Sequence, residues 1–290
     1  MLRDGERVES GPTSSFDRDK IVHAMVGRSL SNALYRSHAG AGARDVGEKV
    51  LSVQNLSRGN IVRNTSFSIY AGQITGMFGL IGSGRTETAR IIAGVDKRNF
   101  FNGGQIRLRE GSVRYRVPRQ AVRDGIVYVT EDRKLEGFFE TMTIAENLRM
   151  GALSAGLNKG VAVSMSQMQA LAAEWTKTLG IRAINSNAKV IELSGGNQQK
   201  VVILKSLAQK PRIIIFDEPT RGVDVGAIAE IHQFINRLAD DGLAIVVISS
   251  YLPEVLNLSD RILVCRSGRV VEEFSPDEAT EEKIMFAAVH

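Results

Sequence analysis

A chain of 290 residues, 43% hydrophobic and 24% charged, is long enough to bury a substantial core and too apolar to stay disordered. Its single cysteine, Cys265, excludes an internal disulfide framework and a cysteine-only metal site, and no apolar run approaches the roughly 20 residues of a membrane helix. The net charge of +5 raises a nucleic-acid reading, but the basic residues are spread along the chain without a run of five, and the 17 aromatics show no base-stacking pattern among them. A solvated face, or a docking surface for an acidic partner, is the plainer account. The start, Met1-Leu2-Arg3-Asp4-Gly5-Glu6-Arg7, puts charges where a signal peptide needs an apolar stretch, so a soluble, cytosolic protein is expected.

The first 26 residues echo the last ones. Shifting residues 3–26 by 263 positions lays them on 266–289, and eight of the 24 pairs are identical, among them Arg3/Arg266, Gly5/Gly268 and Glu9/Glu272. Both copies read as a turn, a short strand, a polar connection and a helix. Residues 1–35 are therefore expected to be the tail of a preceding, missing homologous domain. A Gly- and Ala-rich stretch around Ser37–Arg44 reads as a linker, placed at 36–47, because it offers little apolar surface to bury.

From residue 48 the chain alternates short β-rich runs with helical patterns, which points to parallel strands joined by helices. The candidate strands are Lys49–Val53, Gln73–Phe78, Ile126–Val129, Ile213–Phe216, Ala244–Ile248 and Arg261–Cys265. Several are apolar at consecutive positions, as strands buried on both faces are. Leu171, Trp175 and Leu179, at four-residue spacing, predict a helix over Gln167–Leu179.

Three motifs carry chemistry. The first is Gly79-Leu80-Ile81-Gly82-Ser83-Gly84-Arg85-Thr86, between a strand and a helix, with Arg85 where the phosphate-loop pattern has lysine. Its glycines let backbone N–H groups turn toward phosphate oxygens, the helix N-terminus favours an anion, and Thr86 can ligate Mg²⁺. The second is Ile213–Thr220, an apolar strand ending in Asp217 and Glu218 at the carboxyl edge of a sheet. Asp217 is placed to hold a metal shell and Glu218 to orient or deprotonate a water. The third is Leu193-Ser194-Gly195-Gly196-Asn197-Gln198-Gln199-Lys200, in which Ser194 is a fitting N-cap and Gly195 and Gly196 permit close approach to an anion. His23, His38, His232 and His290 show neither metal-ligand spacing nor triad partners, and read as surface or packing residues.

In chain order, Gly79–Thr86, Leu193–Lys200 and Ile213–Thr220 resemble Walker A, signature and Walker B of the ATP-binding cassette family, and Arg221-Gly222-Val223-Asp224 resembles its D-loop. The resemblance covers about residues 48–275. More narrowly, Gly-Arg-Thr-Glu, Val129-Thr130-Glu131-Asp132-Arg133-Lys134 and Asp-Glu-Pro-Thr-Arg-Gly-Val-Asp resemble the C-terminal cassette of the ribose/galactose/xylose-type sugar importers. It implies an α/β fold: a P-loop NTPase core of ABC type with a mainly parallel sheet, an antiparallel β subdomain and an inserted helical subdomain at about 135–192. It implies an ATPase with ATP and Mg²⁺ as cofactors. ATP would contact Gly79, Gly82, Ser83, Gly84, Arg85 and Thr86 and, across a dimer, Ser194, Gly195, Gly196 and Asp224. Glu218 would be catalytic, and Thr86, Asp217 and Glu131 would attend the metal. The implied partners are a first cassette on the same polypeptide or a second copy, membrane permease subunits, and indirectly an extracytoplasmic sugar-binding protein, with the chain peripheral on the cytoplasmic face of the membrane and no nucleic acid.

Departures from the family pattern cluster at the chain's own ATP site. Arg85 replaces lysine, Glu131 stands where glutamine is usual, the switch position usually filled by histidine reads Ser250-Tyr251, and no adenine-stacking aromatic is evident near Asn55–Ile61. A site that binds nucleotide and turns it over slowly is expected, with the signature completing the partner's site. The alternatives are a regulatory ATP-holding module and a soluble cassette acting on nucleic acid or ribosomes. Apolar segments such as Met142–Met150 can be core or docking surface, and core is favoured.

Overall fold

The apolar runs at the centre of the sequence become the centre of a six-stranded sheet. In the computed structural model the described residues are 44–290, except 157–163, 179–180 and 182–187, together with 2–3, 6–7 and 10–12. In chain order the elements are β1 (Lys49–Arg58), β2 (Val62–Tyr70), β3 (Ile74–Phe78), α1 (Arg85–Ile92), β4 (Gln105–Leu108), β5 (Gly111–Val113), α2 (Pro118–Arg123), β6 (Ile126–Val129), α3 (Ile144–Ser154), α4 (Met165–Thr178), α5 (Gly195–Leu207), β7 (Ile213–Asp217), α6 (Val225–Asp240), β8 (Ala244–Ile248), α7 (Leu252–Leu258), β9 (Arg261–Arg266), β10 (Arg269–Phe274) and α8 (Glu281–Val289).

The main sheet has the order β10-β9-β3-β8-β7-β6 and is parallel except for the β9–β10 hairpin at its edge. All five residues of β3, β7 and β8 are buried, which explains their unbroken apolar runs. Helices α3, α5 and α6 share one apolar layer with this sheet, and a second layer lies between it and the antiparallel sheet β2-β1-β4-β5. Each fully buried Ile or Val contributes roughly 1.5–3 kcal/mol, so the layers dominate stability.

Lys49–Val53 belongs to the antiparallel sheet, not to the parallel set in which the sequence pattern places it. Its strand, β1, runs on to Arg58 and pairs with β2 through three register shifts. The predicted helix at Gln167–Leu179 is found as α4; Leu171 and Trp175 pack on the core, while Leu179 lies outside the described residues. Within Met142–Met150, Ile144, Ala145 and Leu148 are core. A capping box starts this helix, with Thr143 Oγ1 accepting from the Glu146 N–H and the Glu146 carboxylate accepting from the Thr143 N–H.

Arg44, at the end of the Gly- and Ala-rich stretch, is anchored. Its guanidinium pairs with Asp260 at 3.0 Å and Asp240 at 2.8 Å. The buried Asp260 also accepts from the Ile74 N–H, fixing the start of β3. Residues 13–43 lie outside the described residues, and with them most of the expected linker and preceding tail. Two short strands in that region are described. Leu2 pairs with Arg7 and Arg3 with Glu6, antiparallel. Shifted by 263, these are Cys265↔Val270 and Arg266↔Arg269, the register at the tip of the β9–β10 hairpin.

Candidate functional site

The phosphate loop follows from three backbone demands. Between β3 and α1 the chain turns back with Gly82 at φ 82° and Gly84 at φ 88°, left-handed conformations that favour glycine. A Cβ on Gly84 would lie 2.5 Å from the Ile61 carbonyl oxygen, and one on Gly79 would lie 2.4 Å from the Cys265 carbonyl oxygen. Gly84 is also the N-cap of α1 and offers no side-chain acceptor, so the first N–H groups of the helix stay available to an anion. Among the described residues, Ser83 Oγ and Arg85 Nη1 are buried without a hydrogen-bond partner beside this loop.

Parallel pairing brings the ends of β3 and β7 to the same edge. Thr86 Oγ1 there donates to Asp217 Oδ1 at 3.2 Å, and Tyr128 of β6 donates its hydroxyl hydrogen to Asp217 Oδ2 at 2.6 Å. Burial pushes the fully buried Asp217 carboxyl up to about 6, with the charges of Glu131 and Glu218 adding to the rise and the two hydroxyl donors opposing it. Glu218 sits at φ 48°, a strained conformation for a residue with a Cβ, and its N–H is tied to the Ile248 carbonyl at 2.8 Å.

Three donors converge on the Glu218 carboxylate. Arg85 Nη2 lies 3.1 Å from Oε1, the Ser250 N–H 2.8 Å from the same oxygen, and Ser250 Oγ 3.1 Å from Oε2. The lysine-position arginine thus turns toward the expected base, and the residue in the switch position holds that base from the other side. The ion pair is well enclosed, at 9% and 11% side-chain exposure, so solvent screens it little.

Glu131 stands apart from the Thr86–Asp217 contact. Its Oε2 pairs with Arg221 at 2.8 Å, although its charge reaches Asp217. Arg133 donates to the Arg221 and Gly222 carbonyls, tying the two loops together. Ser194 caps α5 by accepting from the Asn197 N–H, and Asp224 caps α6 by accepting from the Ala227 N–H. Gly195 and Gly196 pack against Arg133, Gly222 and Asp224. No hydrogen bond among the described residues joins Ser194–Gly196 to Gly79–Thr86.

Sequence reading missed two groups. Tyr128 is one, and its signal was a phenol in an otherwise apolar strand, which must find a partner when buried. The other is Glu254: its Oε1 lies 2.8 Å from Nε2 of His232, a residue read as surface or packing and found buried, and also accepts from Thr220 Oγ1 at 2.8 Å. This buried carboxylate joins the segment after Glu218 to α6 and α7.

Behind Tyr128 opens a groove of about 590 Å³ between the sheet, α2 and α3, lined by Val95, Pro118, Tyr128, Phe139, Met150 and Leu153 among others. Tyr128 therefore faces the groove and holds Asp217 at once.

A glycine loop feeding a helix beside a strand-end carboxylate pair, on a parallel sheet with an antiparallel sheet packed against it, defines a P-loop nucleotide-binding cassette. Solved structures agree on the fold. A nucleotide-free ATP-binding cassette from an ABC transporter superposes with a TM-score of 0.70 at 22% identity, covering 84% of this chain and all of the other. A dimeric bacterial ABC transporter cassette gives 0.66 at 24% identity, covering 78% and 98%. The family model described as ABC transporter matches residues 62–221, and the chain belongs to that family. It is similar to the ribose import ATP-binding protein RbsA of Caldanaerobacter subterraneus, 42% identical over 289 residues. Similar, too, are the RbsA of Rhodococcus jostii, at 42%, and a putative ribose/galactose/methyl galactoside import ATP-binding protein of Rhizobium etli, at 40%. Essentially the whole chain aligns with them but spans only 57%, 56% and 53% of their lengths.

Proposed function

We propose that the chain is the second ATP-binding cassette of a sugar-import ATPase, whose own site holds Mg-ATP and hydrolyses it slowly. The observation that carries this reading is the set of donors on Glu218. A carboxylate whose two oxygens are taken up by Arg85 and Ser250 has no free oxygen to present to an attacking water until those contacts open. Serine also brings no titratable ring to the γ-phosphate position, where the family's histidine stands.

The residues fit the nucleotide and its metal. The uncapped start of α1, with the unpartnered Ser83 hydroxyl and Arg85 Nη1, suits phosphate oxygens. Thr86 and Asp217 are the hard oxygen donors that Mg²⁺ prefers and would hold it; when bound, the ion neutralises phosphate charge. Arg85 keeps a positive charge at the loop, but its planar guanidinium does not occupy the place of a compact ammonium. Glu218, once released, orients water, and Tyr128 and Thr86 fix Asp217.

The echo between residues 3–26 and 266–289, with the same hairpin register at both ends, supports a tandem arrangement in which a first cassette precedes this one. Ser194, Gly195 and Gly196 would then close on that cassette's nucleotide. The groove beside Tyr128 suits a loop of a membrane permease, which supports reading the chain as peripheral on the cytoplasmic face. The purely regulatory reading differs only in rate and is favoured by the same Arg85–Glu218 pair.

Titration calorimetry with Mg-ATP, followed by phosphate release on the same sample, tests the proposal. Binding with release slow but abolished by Glu218→Gln is expected. Equal background release from both proteins makes the chain a binding module, and absence of binding overturns the proposal.

A further inference from the structure

The chain's net charge has one address. Residues 96–124 hold eight of the 37 basic side chains and three of the 32 acidic ones, so the other 261 residues carry 29 of each and are neutral. Spread along the chain with no five consecutive, the basic residues do not reveal this excess as a run. Of the eight, only Arg98 is partly buried; the rest, from Lys97 to Arg123, are exposed. Among the described residues none of the eight forms an ion pair. Of the three acids, Asp96 pairs with Arg58 and Arg90 and Asp124 accepts from the Tyr115 hydroxyl, while the exposed Glu110 forms no ion pair with any of the eight.

Two large apolar side chains crown this surface. Phe100 and Phe101 are 74% and 90% exposed, packed edge to face with ring centres 4.9 Å apart, and the Arg114 guanidinium covers Phe100 at 5.2 Å. Below them Arg98 Nε and Nη1 are buried with no hydrogen-bond partner, in the field of Arg114. Cations without counter-ions around an exposed aromatic pair mark a surface for an anionic, partly apolar partner.

We infer that this surface docks on a lipid bilayer, with Phe100 and Phe101 entering the boundary between headgroups and acyl chains while the arginines, Arg107 and Arg114 foremost, bind anionic headgroups. Charge complementarity selects the partner, because the cytoplasmic leaflet is negative and attracts such clusters. The rings favour lipid over nucleic acid, since Arg114 lies over Phe100 and Phe101 abuts it, which leaves less ring face open for base stacking. The strip is also continuous with the groove, whose wall includes Val95, Pro118, Arg119 and Val122. That last point rests on the permease reading of the groove; the charge and the exposed rings do not.

Co-sedimentation of the full chain with vesicles tests the inference without permease or nucleotide, so its failure leaves the ATPase reading standing. Vesicles of phosphatidylcholine with roughly 30 mole per cent phosphatidylglycerol should bind at least about tenfold more chain than phosphatidylcholine alone, with the excess lost in high salt. The double substitution Phe100→Ser/Phe101→Ser, and separately Arg107→Glu/Arg114→Glu, should each cut binding at least about tenfold while Mg-ATP binding and thermal unfolding stay as in the parent. The substitution Phe101→Trp should give a blue-shifted indole emission on anionic vesicles. Equal binding to both vesicle types, variants that bind like the parent, or an indole emission left unshifted by the vesicles would overturn it. So would single-stranded RNA that binds more tightly than the vesicles through the same residues.

Discussion

Tyr128 and Asp217 are joined by a 2.6 Å hydrogen bond from the phenol hydroxyl to Oδ2, and the same phenol lines the groove between the sheet and α3. One side chain therefore touches both the strand-end carboxylate and the groove proposed to receive the permease. Burial holds the Tyr128 phenol well above its ordinary value, so it is a donor at every physiological pH. Removing it withdraws a donor from the charged form of Asp217. With Tyr128→Phe, the gain in ATP affinity on adding Mg²⁺ should fall about tenfold near neutral pH, the worth of one hydrogen bond to a charged group. Affinity measured in excess chelator should not change. Calorimetry with and without Mg²⁺ reads both, and an equal loss in the two conditions would contradict the role assigned to Tyr128.

Asp217 also gives the nucleotide-free chain a pH signature. Its carboxyl titrates near 6 when folded and near 3.8 when unfolded, so between those values the folded state binds the extra proton. Stability from this group is highest below the lower value, falls as pH rises through the window, and is flat above it. The full cost at pH 7 is about 3 kcal/mol. Asp217→Asn should remove it: in urea unfolding without nucleotide, the variant should exceed the parent at pH 7 and lose that advantage near pH 4.

Glu254 is 2% exposed and accepts from both Thr220 and the His232 ring through Oε1. Glu254→Leu strands both partners in the interior and should cost about 3 kcal/mol in urea unfolding. Glu254→Gln keeps a carbonyl acceptor in place, and about half that cost is expected. If the two substitutions cost the same, the carboxylate is not what holds Thr220 and α6 together.

Much of this arrangement was legible in the sequence because it rests on local demands. The Gly79–Thr86 loop needs glycine at its left-handed turns, and β7 needs an apolar run ended by acids. Both can be read from consecutive residues. The antiparallel placement of β1 was not legible, because a run such as Lys49–Val53 looks alike whichever neighbour it pairs with; pairing is decided by partners far along the chain. Tyr128–Asp217 and Glu254–His232 span 89 and 22 positions and depend on strand order and helix packing. The basic surface escaped for a related reason: its charges come from one strand, a helix and the connections around them.

Arg85 and Ser250 together set the expected turnover. Each occupies Glu218, and each departs from the usual family pattern, so changing one alone leaves the carboxylate held by the other. Arg85→Lys shortens the cation and returns a point charge to the phosphate loop, but the Ser250 hydroxyl still holds Oε2. Ser250→His supplies a ring that can act at the γ-phosphate, but Arg85 still pairs with Oε1. The two substitutions should be more than additive, since they share a partner. Phosphate release by the double variant should exceed the parent by at least about tenfold, against roughly twofold for either single change. Adding Glu218→Gln should return it to background. A double variant no faster than the parent would place the block elsewhere, most directly in the absence of a partner signature, and release restored only by mixing with a first cassette would identify it.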